Sequence, residues 1–207
     1  MMVLLNCIIV LFLAFTIVLT QYRVAAAQEA QQFIETLKVM PERPEQKIIM
    51  VVFSLCFLCG LFTIKEENEE RKEKEKVLLW NVFEIIFLIF VLKELDMTYN
   101  GVIFLIVADM LTYVEDRKNK LIFLFISFLC YMVCSYNLVT MFIPLNSFET
   151  WVAFYDGETE SLFLGVKTIC EILNMILFLV YIVILMMKDR RERERIQLLN
   201  AQLTKGK

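Results

Sequence analysis

The chain reads as all-α: a polytopic membrane bundle of about six transmembrane helices with both termini cytoplasmic and a helical stem at the C-terminal end. Three observations lead there. The 207 residues are 59% hydrophobic with a mean hydropathy of +0.64, against about 45–50% apolar in an ordinary soluble domain. The apolar residues gather into stretches at residues 2–19, 48–64, 77–92, 99–114, 121–145 and 162–187, close to the roughly 17–25 residues a helix needs to cross a 30 Å hydrocarbon core. The basic residues between them collect on one side. Backbone amides left unpaired in lipid are too costly for any spanning form here other than helix.

Charge placement sets the orientation. Lys65, Arg71, Lys72, Lys74 and Lys76 follow the second stretch, Arg117, Lys118 and Lys120 the fourth, and Lys188, Arg190, Arg191, Arg193 and Arg195 the sixth. The alternate loops hold Arg23, Lys38, Arg43 and Lys47, then Lys93, then none. The positive-inside rule makes the three dense blocks cytoplasmic. The fourth stretch is short, and everything after it would invert if it were not a span. The run 65–76 nearly balances Glu against Lys and is expected to be a solvated link, with no anionic-lipid or nucleic-acid site in it.

The first stretch is expected to stay as a helix. Ala25, Ala26 and Ala27 resemble a cleavage site, but the apolar run is long and no basic residue precedes it. Residues 24–40 are rich in helix formers, and Ala30, Phe33, Ile34, Leu37 and Met40 repeat at helical spacing. A short outer helix continuing from the first span is expected, stopped by Pro41 and Pro44.

Composition excludes some chemistry. Histidine is absent, which removes the commonest general base and transition-metal ligand. No phosphate-cradling glycine pattern occurs, and no polar stretch is long enough for a catalytic domain, so the chain itself is not expected to be an enzyme. No cofactor is expected. Cys56/Cys59 and Cys130/Cys134 share helical faces, yet C-x-x-C is a weak metal signal inside an apolar helix, and Cys7, Cys170 and these four are read as small hydrophobes with no metal.

Polar residues within the spans are the candidate functional groups. Glu84 and Asp109 lie about 13 residues before and 12 after Met97; at 1.5 Å rise per residue, a hairpin turning there puts them level. Facing each other, they would form a proton- or cation-responsive pair. Alternatively, each sits near the headgroups or bonds separately, for example to Asn81. Lys167 and Glu171 share a helix face with Asn174, as a polar seam between helices or a ligand site, and Asn137 is a candidate to join it. Outside, Glu149, Trp151, Tyr155, Asp156 and Glu158 combine aromatics with carboxylates and no basic residue. This loop suits a cationic ligand, or simply an interfacial aromatic anchor.

From Tyr181 the last stretch runs without Gly or Pro into Lys188-Asp-Arg-Arg-Glu-Arg-Glu-Arg-Ile-Gln-Leu-Leu-Asn-Ala-Gln-Leu203. Asp189 and Arg193 are spaced to pair at i, i+4, and Ile196, Leu199 and Leu203 form a short a/d seam. Residues 1–187 are thus expected to form the bundle and 188–207 a cytoplasmic stem that begins a coiled coil. Here the chain resembles the N-terminal membrane region of bacterial sensor histidine kinases, closely only over 188–203. The resemblance implies a sensor-like bundle in the cell membrane whose last span acts as a signalling helix, a parallel homodimer through the stem, and a cytoplasmic output domain in cis or trans. The family's kinase core is not in this sequence, though a longer parent protein with it would be a histidine kinase. The lipid bilayer is the other expected partner; nucleic acid is not one. A small transporter, channel or transport subunit using the intramembrane carboxylates stands as the alternative, and an assembly factor of the membrane without chemistry stays open beside it.

Overall fold

The computed structural model describes residues 1–27, 31–39, 43–70, 74–114 and 116–205, with side chains described at all of these except 68–70, 74, 75 and 203–205. Every regular element among them is a helix: α1 (Met2–Ala26), α2 (Gln31–Thr36), α3 (Pro44–Glu70), α4 (Lys74–Glu94), α5 (Val102–Thr112), α6 (Arg117–Val133), α7 (Tyr136–Val139), α8 (Phe148–Val152) and α9 (Gly157–Lys205).

Among the described residues, three helices are long and apolar enough to cross a membrane: Met2–Ala26, Pro44–Glu67 and Gly157–Gln202. Their outward faces carry large apolar side chains in the open, such as Leu4, Phe15, Phe53 and Val183. So much exposed hydrocarbon is costly in water and at home in lipid. The remaining stretches fold more modestly. α4 has 21 residues but holds Glu84 in its interior and charges at its ends.

α5 has 11 residues, about 16 Å at helical rise, too short to span alone. Its positions Val102–Ala108, Met110 and Leu111 are all buried, because it threads the middle of the bundle between α1, α4, α6 and α9. Protein surrounds its N-terminal end, where Gly101 and Val102 are buried, which is what permits backbone to leave the helix there.

Other boundaries depart from expectation for local reasons. The apolar run 121–145 is helical only to Val133; Cys134 ends α6, and Tyr136 donates its hydroxyl to the Leu145 carbonyl at 2.9 Å across the following turn. Helix does not run continuously through 24–40, since Ala27 is extended (φ −89°, ψ 128°) and α2 starts afresh. Ala30, Met40 and Pro41 lie outside the described residues. Pro44 opens α3 instead of stopping a helix, as a ring without an N–H does best in a first turn. On α2, Phe33 and the following Leu37 pack against the core.

The core lies between α1, α3, the α4–α5 turn and α8, around Ile9, Leu13, Ile17, Leu58, Leu95, Phe148 and Trp151. The turn reverses sharply: Asp96 and Met97 take left-handed φ of 52° and 55°, and Lys47 holds Asp96 at 3.1 Å. Gly101 follows because nothing larger fits; a Cβ there would stand 2.5 Å from the Tyr99 ring.

Candidate functional site: a buried ion cluster beside an asparagine junction

The buried positions of α3 are Val51, Ser54, Leu55, Leu58 and Leu61, and Lys65 is the next on that face. Its side chain leans toward the helix N-terminus, as helical side chains do, and so reaches back among the helices. The expectation that Lys65 belongs to a solvated link is therefore corrected at this position: its side chain is 0% exposed. The ammonium donates to Glu84 Oε1 at 2.8 Å and also to Asp109 Oδ2, and it sits 4.8 Å from the centre of the Tyr113 ring. α3, α4 and α5 each contribute one charge.

Glu84 and Asp109 are thus together at one cation, as a hairpin turning near Met97 requires. Glu84 does not bond to Asn81, whose Oδ1 has no hydrogen-bond partner among the described residues. One ammonium faces two carboxylates, and buried charge is tolerated only where it is paired. Glu84 Oε2 is buried and has no hydrogen-bond partner among the described residues. The cluster holds one carboxylate more than its cation balances, so it can take a proton, a water or a small cation.

Access runs past Asp109, whose side chain is 19% exposed. It borders a cavity of about 430 Å³ lined among others by Met1, Phe62, Leu105, Thr112 and Tyr181. Tyr181 of α9 donates to the carbonyl of Ala108 at 2.8 Å, and its hydroxyl lies 2.7 Å from that of Thr112. The last long helix is thus bonded to the residue next to Asp109.

A second polar cluster is neutral. Asn6 of α1 donates from Nδ2 to Asn174 Oδ1 (2.8 Å) and to the Met2 carbonyl (2.9 Å), Tyr99 donates to Asn6 Oδ1 (2.7 Å), and Asn174 Nδ2 donates to the Gly101 carbonyl (3.0 Å). It ties α1, the α4–α5 turn and α9 together. Asn174 therefore serves this junction and not the Lys167–Glu171 seam.

Lys167 does face Glu171, at 3.4 Å, and also Glu149, at 3.3 Å. Asn137 is exposed on α7 and joins neither. In the outer segment, Trp151 is buried beside Phe148. Ser147 caps α8 by accepting from the Thr150 N–H at 3.0 Å. Tyr155 accepts from Thr20 at 3.2 Å under the Arg23 guanidinium, and Asp156 accepts from the Thr159 N–H at 2.7 Å at the start of α9. Glu158 is exposed in the first turn of α9. The packing of Phe148 and Trp151 in the core and the contacts of Tyr155 with α1 secure the outer cap to the bundle, while the Ser147 and Asp156 bonds are local to the helix starts.

On the stem, Ile196 and Leu199 are exposed, 57% and 52%, and Leu203's side chain lies outside the described residues. Arg190 pairs with Glu194 at 2.9 Å; Asp189 turns to Lys120 of α6 at 2.6 Å and not to Arg193. Among the described residues no group of three metal-ligating side chains assembles, and all six cysteines are free.

Sequence reasoning missed Lys65, Asn6, Tyr99 and Lys120. Two carried a signal: Lys65 continues the spacing of the α3 apolar face, and Asn6 interrupts an otherwise apolar run. Among the described residues, fold and site together define an all-helical bundle with three membrane-length helices and a buried, unbalanced ion cluster. No family model, curated protein or solved structure matches the chain.

Proposed function

We propose that this chain is a membrane-embedded input module, a multi-pass protein of the cell membrane with both termini on the basic, cytoplasmic side, that relays the state of its bundle through the last helix to a cytoplasmic partner domain. The observation carrying this is α9. It is one uninterrupted helix from Gly157 to Lys205, bonded inside the bundle through Asn174 and Tyr181, and its far end presents Ile196 and Leu199 with no cover. A stiff rod held at the bundle and bare at its tip is suited to carrying a small rotation or shift outward.

The ion cluster supplies the element that a signal would bias. A proton or cation taken up at Glu84 and Asp109 changes the pull on Lys65 and the position of α5, and Ala108 passes that change to Tyr181. Coupling of this kind needs two packings that differ in affinity for the signal. The stem seam Ile196, Leu199 and Leu203 is where a second copy would pair in parallel.

The unpaired Glu84 oxygen also favours a second function, a small proton- or cation-coupled transporter. One experiment separates the two. In native membranes, with the natural cysteines removed, single cysteines at Gln197, Leu199, Gln202 and Leu203 are crosslinked with and without Glu84→Gln. The input module predicts dimers strongest at Leu199 and Leu203, with yields that Glu84→Gln changes. Absence of any dimer, together with cation or proton flux in proteoliposomes that Glu84→Gln and Asp109→Asn abolish, would establish the transporter instead.

A further inference from the structure

We propose that the groove between the first turn of α6 and the segment of α9 around residue 190 is a binding site for an anionic phospholipid. The groove encloses about 640 Å³, within the roughly 300–1,000 Å³ of ordinary ligand sites. Its two halves differ in chemistry. Leu121, Ile182 and Met186 form an apolar wall, and Arg117, Arg190 and Arg193 form the rim.

The acidic residues on that rim are already engaged. Asp189 is held by Lys120 at 2.6 Å and Glu194 by Arg190 at 2.9 Å. Arg117 and Arg193 make no ion pair among the described residues. A phosphate diester matches the two guanidinium groups.

The apolar wall decides between lipid and free anion. Leu121, Val183 and Met187 are 50%, 57% and 51% exposed, and the wall continues along the same face of α9 to Leu179, also exposed. An acyl chain covers such a wall, whereas an inorganic phosphate leaves it bare. Basic pockets between helices at one membrane face commonly hold acidic headgroups in this way. The site rests on α9 lying in a bilayer. Lipid held there bridges Arg193 on the stem to Arg117 on α6 and so fixes the angle at which the stem leaves the bundle.

The test uses the full chain. Flotation with membranes comes first and checks the bilayer placement by itself. The purified protein in detergent is then examined by native mass spectrometry with phosphatidylglycerol and phosphatidylcholine of matched chains. Phosphatidylglycerol should be retained preferentially. Arg117→Gln or Arg193→Gln should each weaken it roughly fivefold and the pair together roughly 30-fold, while Arg195→Gln, outside the groove, changes nothing. Should the double variant fail to fold, the single variants decide. Equal retention of both lipids overturns the proposal, as does an anionic preference that survives both substitutions. Displacement of the lipid by millimolar inorganic phosphate overturns it too, marking a plain anion site.

Discussion

The asparagine junction and the ion cluster solve the same problem, burying polar groups among apolar helices, in opposite ways. At the junction, Asn6, Tyr99 and Asn174 exchange hydrogen bonds until both Asn6 amide hydrogens and both amide oxygens are used. The cluster leaves Glu84 Oε2 unserved beside a single ammonium. A closed neutral network rigidifies, since any movement breaks a bond that nothing replaces. An open charged one has a vacant acceptor that an outside proton or cation can fill. The junction thus behaves as the clamp that holds α9, and the cluster as the part that can change.

The largest effect that would test this contrast comes from Lys65→Met. It strands two carboxylates, and thermal unfolding in detergent should show a loss of about 3–5 kcal/mol, most of it recovered when Glu84→Gln and Asp109→Asn are added. A loss no greater than that of a surface substitution would mean that the cluster is open to water. Next, Asn174→Leu orphans the Asn6 amide and the Gly101 carbonyl, each worth about 1–3 kcal/mol when left unpaired; its unfolding should occur well below that of the parent at every pH.

Smaller effects belong to the outer cap. Ser147→Ala removes the α8 cap and should cost about 1 kcal/mol in the same assay. Half-burial pushes the Glu149 carboxyl up, but its own backbone amide and the Lys167 ammonium outweigh that and hold it below its ordinary value of 4.5. Its contribution is complete above the unfolded value and disappears as pH falls through the lower folded one. Lys167→Met should therefore flatten the acid limb of stability against pH, and an unchanged limb would detach Glu149 from that role.

The smallest change in stability, within about 1 kcal/mol, is expected for Glu84→Gln, which removes surplus charge and keeps the shape. It should nonetheless alter crosslinking at Leu199. A variant that folds as well as the parent and leaves the stem unmoved would deny the cluster any part in transmission.

Particular elements mark what was legible along the chain. The level placement of Glu84 and Asp109 follows from helical rise and a tight turn alone. The continuity of α9 beyond the apolar stretch follows from residues 181–203, a segment without Gly or Pro. Lys65 was misplaced because a lysine next to a run of charges reads as solvent-facing, and only the rotation of α3 about its axis turns it inward. The shortness of α5 was hidden because hydropathy along 99–114 does not reveal that its surroundings are protein. Lys120 and Asp189 sit in separate basic stretches and meet only because α6 begins beside α9.

Composition and periodicity determined that this protein is helical and that its apolar surface seeks lipid, since those preferences add residue by residue along the chain. Tertiary structure alone decided which polar groups became partners. A buried charge is tolerable only opposite its counter-charge, and that depends on the depth and rotation of a different helix, which no local stretch encodes.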